Sequence, residues 1–151
     1  MSLPPRHVKS LTILLVEDSK SDALLIEETL SESPFLEQLY IVRDGVEATD
    51  FLYHREKYSD VPRPDLIVLD LNLPKKNGQE VLAEIKADEK LKTIPVVILT
   101  TSCNEIDILT SYRHHANCYL VKPLGLDQFI EVIKSIELFW FAIVRLPFAQ
   151  N

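Results

Sequence analysis

Five short, unbroken apolar runs alternate with five amphipathic segments along this chain, and few folds satisfy that pattern. The runs are LTILLV (11–16), QLYIV (38–42), DLIVLD (65–70), PVVILT (95–100) and CYLVK (118–122). They are rich in Val, Ile and Leu and do not alternate with polar residues, which is how strands read when both faces of a parallel sheet are covered. Between them SDALLIEETLSES (21–33) puts Ala23, Ile26 and Leu30 on one helical face with Leu25 beside it, and Ser19 or Ser21 is placed to cap it. Further helical patterns run over 46–57, 79–90, 105–115 and, longest, 126–144. Strict β-α alternation predicts an α/β fold: a doubly wound, five-stranded parallel sheet with helices on both faces, joined by right-handed crossovers. YSDVPRPD (58–65) reads as a Pro-rich loop, not as a linker between domains.

Composition removes several function classes. At 151 residues, 46% hydrophobic and 26% charged, the chain suits one domain with a real core. A net charge of -7 without a basic run argues against a nucleic-acid partner. Cys103 and Cys118 are not spaced as a metal pair, so neither zinc nor a structural disulfide is expected. MSLPPRHVKS lacks the apolar core of a signal peptide. No apolar stretch approaches the ~20 residues that span a bilayer. A cytoplasmic chain without a membrane partner is expected.

In open α/β sheets, sites form outside the carboxyl ends of the strands. The first run delivers Glu17 and Asp18 there, the third Asp70 and then Asn72, the fourth Thr100, Thr101 and Ser102, and the fifth Lys122 and Pro123. Each alone would pass for a cap, a turn residue or solvated charge. Together they make a site. Three carboxylates in one crevice repel each other, and a hard cation such as Mg²⁺ relieves that. Lys122 adds a positive point charge and Thr100 a hydroxyl donor. Such a set suits a phosphoryl group with charge on its equatorial oxygens. An Asp can be the nucleophile, as an acyl phosphate, and Asp70 is the best placed.

VED at 16–18, LDLNLP with NG at 69–78, LTT at 99–101 and YLVKP at 119–123 together resemble the receiver domain of two-component response regulators. The resemblance spans residues 11–137, leaving 1–10 as an N-terminal extension and 138–151 as an extension of the last helix with a tail. It implies a flavodoxin-like strand order, 2-1-3-4-5. It also implies that Asp70 accepts a phosphoryl group from a sensor histidine kinase, and that Glu17, Asp18, Asp70 and the backbone carbonyl of Asn72 hold Mg²⁺. Thr100 and Lys122 would contact the phosphoryl oxygens, and Tyr119 would be the aromatic switch that turns inward with Thr100. The YHREKYSDVPRP insertion and the closing LFWFAIVRLP resemble the small single-domain regulators that partner cyanobacterial phytochrome-type kinases. With nothing after the last helix, no DNA-binding output domain is expected. The chain departs from the family at HHANCY (114–119), where His115 stands in place of a small residue. Both His114 and His115 are expected to be solvated at a helix end.

Two other readings compete. A vestigial receiver acting only as an interaction protein is disfavoured by the intact Asp70, Thr100 and Lys122. An aspartyl-phosphate hydrolase is disfavoured because Asn72 stands where a D-x-D enzyme keeps its general acid. The chain is therefore expected to be a stoichiometric phosphoreceiver, with only slow self-dephosphorylation, and not an enzyme. In the last helix Phe129, Val132, Ile133, Ile136, Trp140 and Ile143 recur at core spacing. LFWFAIV (138–144) is nevertheless apolar all round. Leu138, Phe139, Phe141, Ala142 and Leu146 thus need a second cover. That cover is either the tail folding back over its own domain or, as the resemblance suggests instead, a homodimer through the fourth helix, fifth strand and fifth helix.

Overall fold

The computed structural model describes residues 10–143, with side chains through Trp140. Five parallel strands lie in the order β2-β1-β3-β4-β5, as expected. They are β1 (Leu11–Val16), β2 (Leu36–Val42), β3 (Leu66–Leu69), β4 (Val96–Thr100) and β5 (Cys118–Val121). The helices are α1 (Lys20–Leu30), α2 (Gly45–Leu52), α3 (Gly78–Ala87), α4 (Glu105–Arg113) and α5 (Leu126–Ile136). Among the described residues no helix is long and apolar enough to cross a membrane.

Alternation along β1 divides the core. Ile13 and Leu15 pack with Ala23, Ile26 and Leu30 of α1 and Phe129, Ile133 and Ile136 of α5. Leu14 and Val16 pack on the other face with Phe51 of α2 and Val81, Leu82 and Ile85 of α3. Covering both faces is what lets the strands be apolar throughout. Helix starts are fixed by side chains that accept a first-turn N–H: Ser19 on α1, Asp44 on α2, Asn77 on α3 and Asn104 on α4.

All five helices end short of the sequence segments that predict them; α2, α3 and α5 show how. The pattern carries α2 to residue 57, but the helix stops at Leu52. His54 (φ 56°) and Glu56 (φ 52°) turn the chain left-handed, and a short 3₁₀ turn (Glu56–Tyr58) follows. Tyr58 folds back, its ring 5.3 Å from that of Phe51 and its hydroxyl donating to Glu47 Oε1 at 2.9 Å. Helix α3 stops at Ala87 because Asp88 turns extended and accepts the N–H groups of Lys90 and Leu91 at 2.7 and 3.0 Å. The long last helix is α-helical only to Ile136, and Glu137–Ile143 continue as a wider π-helix. Its buried stripe still runs through Phe129, Ile133, Ile136 and Trp140, with Val132 partly buried beside it. Leu138 and Phe139 are exposed. The side chains of Phe141, Ala142 and Ile143, and the whole of Leu146, lie outside the described residues.

Candidate functional site

Strand register builds the site. Val16 pairs with both Val42 and Leu69, so β1, β2 and β3 finish level, while β4 and β5, paired at Thr100 and Val121, run on two residues past the Leu69–Ile98 pair. The ladder extends one residue further: Glu17 N donates to Val42 O at 2.9 Å, Asp70 N to Val16 O at 3.0 Å and Lys122 N to Thr100 O at 2.7 Å. The backbones of Glu17, Asp70 and Lys122 are therefore held by the sheet, and their side chains meet above it. Gly78 allows the loop after β3 to close tightly, because a Cβ there would strike the Asp70 carbonyl oxygen and Leu71 Cα.

At the centre lies the Lys122 ammonium, its side chain only 4% exposed. It donates to Glu17 Oε1 at 2.5 Å, Asp22 Oδ2 at 2.9 Å and Asp70 Oδ2 at 2.9 Å. The other Asp70 oxygen accepts from Asn72 N at 3.0 Å. The other Glu17 oxygen accepts from Ser19 N at 3.1 Å. Thr100 is fully buried, with its hydroxyl 3.5 Å from Asn72 Nδ2. Burial pushes the Glu17 carboxyl up to about 7; its bond to Lys122 opposes the rise and the charge of Asp70 adds to it. Burial would lower Lys122, yet its bonds to Glu17 and Asp70 and their charges outweigh this and hold it above the ordinary lysine range. The cluster is a buried ammonium outnumbered by carboxylates.

Glu17, Asp70, Thr100, Asn72 and Lys122 thus come together as the sequence places them. Asp18 is exposed at the rim, and no hydrogen bond or ion pair holds its carboxylate among the described residues. Among those residues no three carboxylate, imidazole or thiol groups form a ready metal cage. Lys122 stands between Glu17 and Asp70 instead. Tyr119 is half-buried, and its hydroxyl donates to Ser102 O at 2.8 Å, just beyond β4. Asp22 was not anticipated. In the first turn of α1, it falls on the side of the helix that faces Lys122.

The sequence matches the response regulator receiver domain over residues 13–134. The chain belongs to the response regulator receiver family. This receiver domain is 51% identical over 148 residues to response regulator Rcp1 of Synechocystis sp. (strain ATCC 27184 / PCC 6803 / Kazusa), covering 98% of this chain and 97% of that protein. It superposes on the Mn²⁺-bound form of Rcp1 with a TM-score of 0.88 at 52% identity, covering 91% and 99% of the two chains. For the phosphorylated cyanobacterial phytochrome response regulator RcpA the TM-score is 0.89 at 51% identity, with the same coverage. The resemblance to phytochrome-linked regulators is therefore found along nearly the whole chain.

The structure changes the reading of His114 and leaves the cysteines free. His114 is not merely solvated: it is half-buried, with Nδ1 3.2 Å from Gln79 Oε1 of α3. His115 is exposed, as expected, in a left-handed conformation (φ 67°). Glycine takes that conformation readily, whereas a side chain such as that of His115 rarely does. Cys103 is exposed and Cys118 half-buried, and both are free thiols.

Proposed function

We propose that Asp70 is the phosphoacceptor of a two-component phosphorelay. An Asp70 carboxylate oxygen attacks the phosphorus of a kinase phosphohistidine. The new O–P bond forms as the P–N bond breaks, and the imidazole nitrogen keeps the electron pair. One observation carries this reading: Asp70 ends β3 with one oxygen on Lys122 Nζ and the other on Asn72 N, beside the buried Thr100 hydroxyl. Lys122 and Thr100 would receive the transferred oxygens. Tyr119, tied to the loop after β4, would report the change at Thr100.

The donor set fits Mg²⁺. Every acceptor is an oxygen, and carboxylates exceed ammonium groups at the strand ends. Asp18, Asp70 and the Asn72 carbonyl would hold the ion directly, with Glu17 behind them. When bound, the ion would neutralise charge on the phosphoryl oxygens. The role is that of a stoichiometric receiver in the cytoplasm, not a turnover enzyme and without nucleic acid as partner. The likeness to Rcp1 and RcpA supports a phytochrome-type histidine kinase as donor. Exposed Ile106, Leu109 and Tyr112 on α4 and Val121 on β5, with Leu138 and Phe139 beyond α5, support a homodimer through the α4-β5-α5 face. A chain that sediments as a monomer at high micromolar concentration, with and without phosphorylation, would refute that dimer.

Incubation with acetyl phosphate and Mg²⁺, followed by intact-mass measurement, tests the phosphoacceptor. Wild type should gain one phosphoryl group, and Asp70→Asn should gain none. An unlabelled wild type would favour the vestigial receiver. Steady release of phosphate without an adduct would favour the hydrolase.

A further inference from the structure

We infer that Asp22 is a positioning residue: a resting ligand of Lys122 that competes with the incoming phosphoryl group for the ammonium. The inference rests on Asp70 being the phosphoacceptor. A lysine ammonium has three N–H donors and no acceptor. Glu17, Asp22 and Asp70 each take a bond from Lys122 at 2.5–2.9 Å, so no donor remains for a fourth oxygen. Forming the acyl phosphate takes the charge off Asp70 and frees one donor, but while Asp70 is still the attacking carboxylate Lys122 can bond an incoming phosphoryl oxygen only if Glu17 or Asp22 lets go.

Burial decides between Glu17 and Asp22, since Asp70 is itself the reacting group. The side chains of Glu17 and Asp70 are 2% and 7% exposed, whereas that of Asp22 is 29% exposed. A carboxylate released inside the site loses a charged partner and gains no water, which is costly. Asp22 instead lines an open groove of about 430 Å³ between α1 and the start of α5, where water can replace the ammonium. Its backbone does not have to move, because Asp22 N stays on the Ser19 cap at 3.2 Å. A side-chain rotation is enough. While in place, Asp22 both occupies the donor and adds a negative charge that repels the phosphoryl oxygens.

Phosphorylation of the full chain by acetyl phosphate, with Mg²⁺ fixed, reads the competition. Asp70 attacks phosphorus, the P–O bond to the acyl group breaks and acetate leaves. Asp22→Asn and, as a second variant, Asp22→Ser should lower the acetyl phosphate concentration giving half-maximal phosphorylation by about three- to fivefold, as expected for removing one partly exposed ion pair. Glu28→Gln removes the same charge from further along the same groove without touching Lys122, and should leave that concentration unchanged. Thermal unfolding confirms that each variant is folded. Half-maximal concentrations equal to wild type in both Asp22 variants, or raised in them, would overturn the inference. An equal drop in Glu28→Gln would do so as well, by reducing the effect to net charge. Labelled Asp70→Asn would instead refute the phosphoacceptor on which the inference rests.

Discussion

Helices α3 and α4 lie side by side, yet they are attached by different forces. Helix α3 buries Val81, Leu82 and Ile85. In α4 only Ser111 is buried, while Ile106, Leu109 and Tyr112 are exposed. What holds α4 is polar. Gln79 Nε2 of α3 donates to Asp107 O at 3.2 Å and to Ser111 Oγ at 2.9 Å, and Gln79 Oε1 meets His114 at the far end. At the near end Ser102 Oγ donates to Asp107 Oδ2 at 2.5 Å. A buried aliphatic side chain contributes about 1.5–3 kcal/mol, whereas a hydrogen bond that water can replace contributes about 0.5–1.5 kcal/mol. Unequal anchoring sets where the receiver can change shape. Helix α3 is part of the core, and α4 opens at lower cost. The Ser102 loop that starts α4 also carries the carbonyl held by Tyr119, so the helix cheapest to move adjoins the site.

Three substitutions sharpen this contrast. Leu82→Ala in α3 should cost about 2–5 kcal/mol of global stability in urea unfolding, because it leaves a cavity under a helix with no slack. A loss below about 1 kcal/mol would mean that α3 is not anchored by burial. Gln79→Ala should cost about 1–2 kcal/mol and act locally, speeding amide exchange across α4 more than across α3. Uniform acceleration over both helices would show that the two form one unit. Leu109→Ser, on the exposed side of α4, should change stability by no more than about 0.5 kcal/mol. A larger loss would reveal apolar packing on that helix.

Much of the fold was legible because the strands announce themselves. Runs such as LTILLV and DLIVLD are apolar on both faces and stop at acids, so strand type and strand end are read together. Site residues attached to those ends followed: Glu17, Asp70, Thr100 and Lys122 converge as anticipated. Residues reaching the site from helices were harder. Asp22 reads as ordinary first-turn charge, favourable near a helix N-terminus whatever it touches. His114 reads as a solvated helix end, since Gln79, its partner, is 35 residues away in sequence. The early end of α2 was hidden for a different reason. Its pattern stays amphipathic to residue 57, and only the left-handed turns at His54 and Glu56 break it. In α5 the buried stripe keeps its spacing through Trp140, so periodicity gave no sign that the turns widen after Ile136.

The central claim is that the carboxylate ending β3 accepts the phosphoryl group. Borohydride reduces an acyl phosphate to an alcohol, turning a phosphorylated aspartate into homoserine. Reduction of the acetyl phosphate-treated protein, followed by peptide mass spectrometry, should find homoserine at position 70 and the carboxylates of Glu17, Asp18 and Asp22 untouched. A reduced side chain at any of those three positions, with Asp70 intact, would contradict the account.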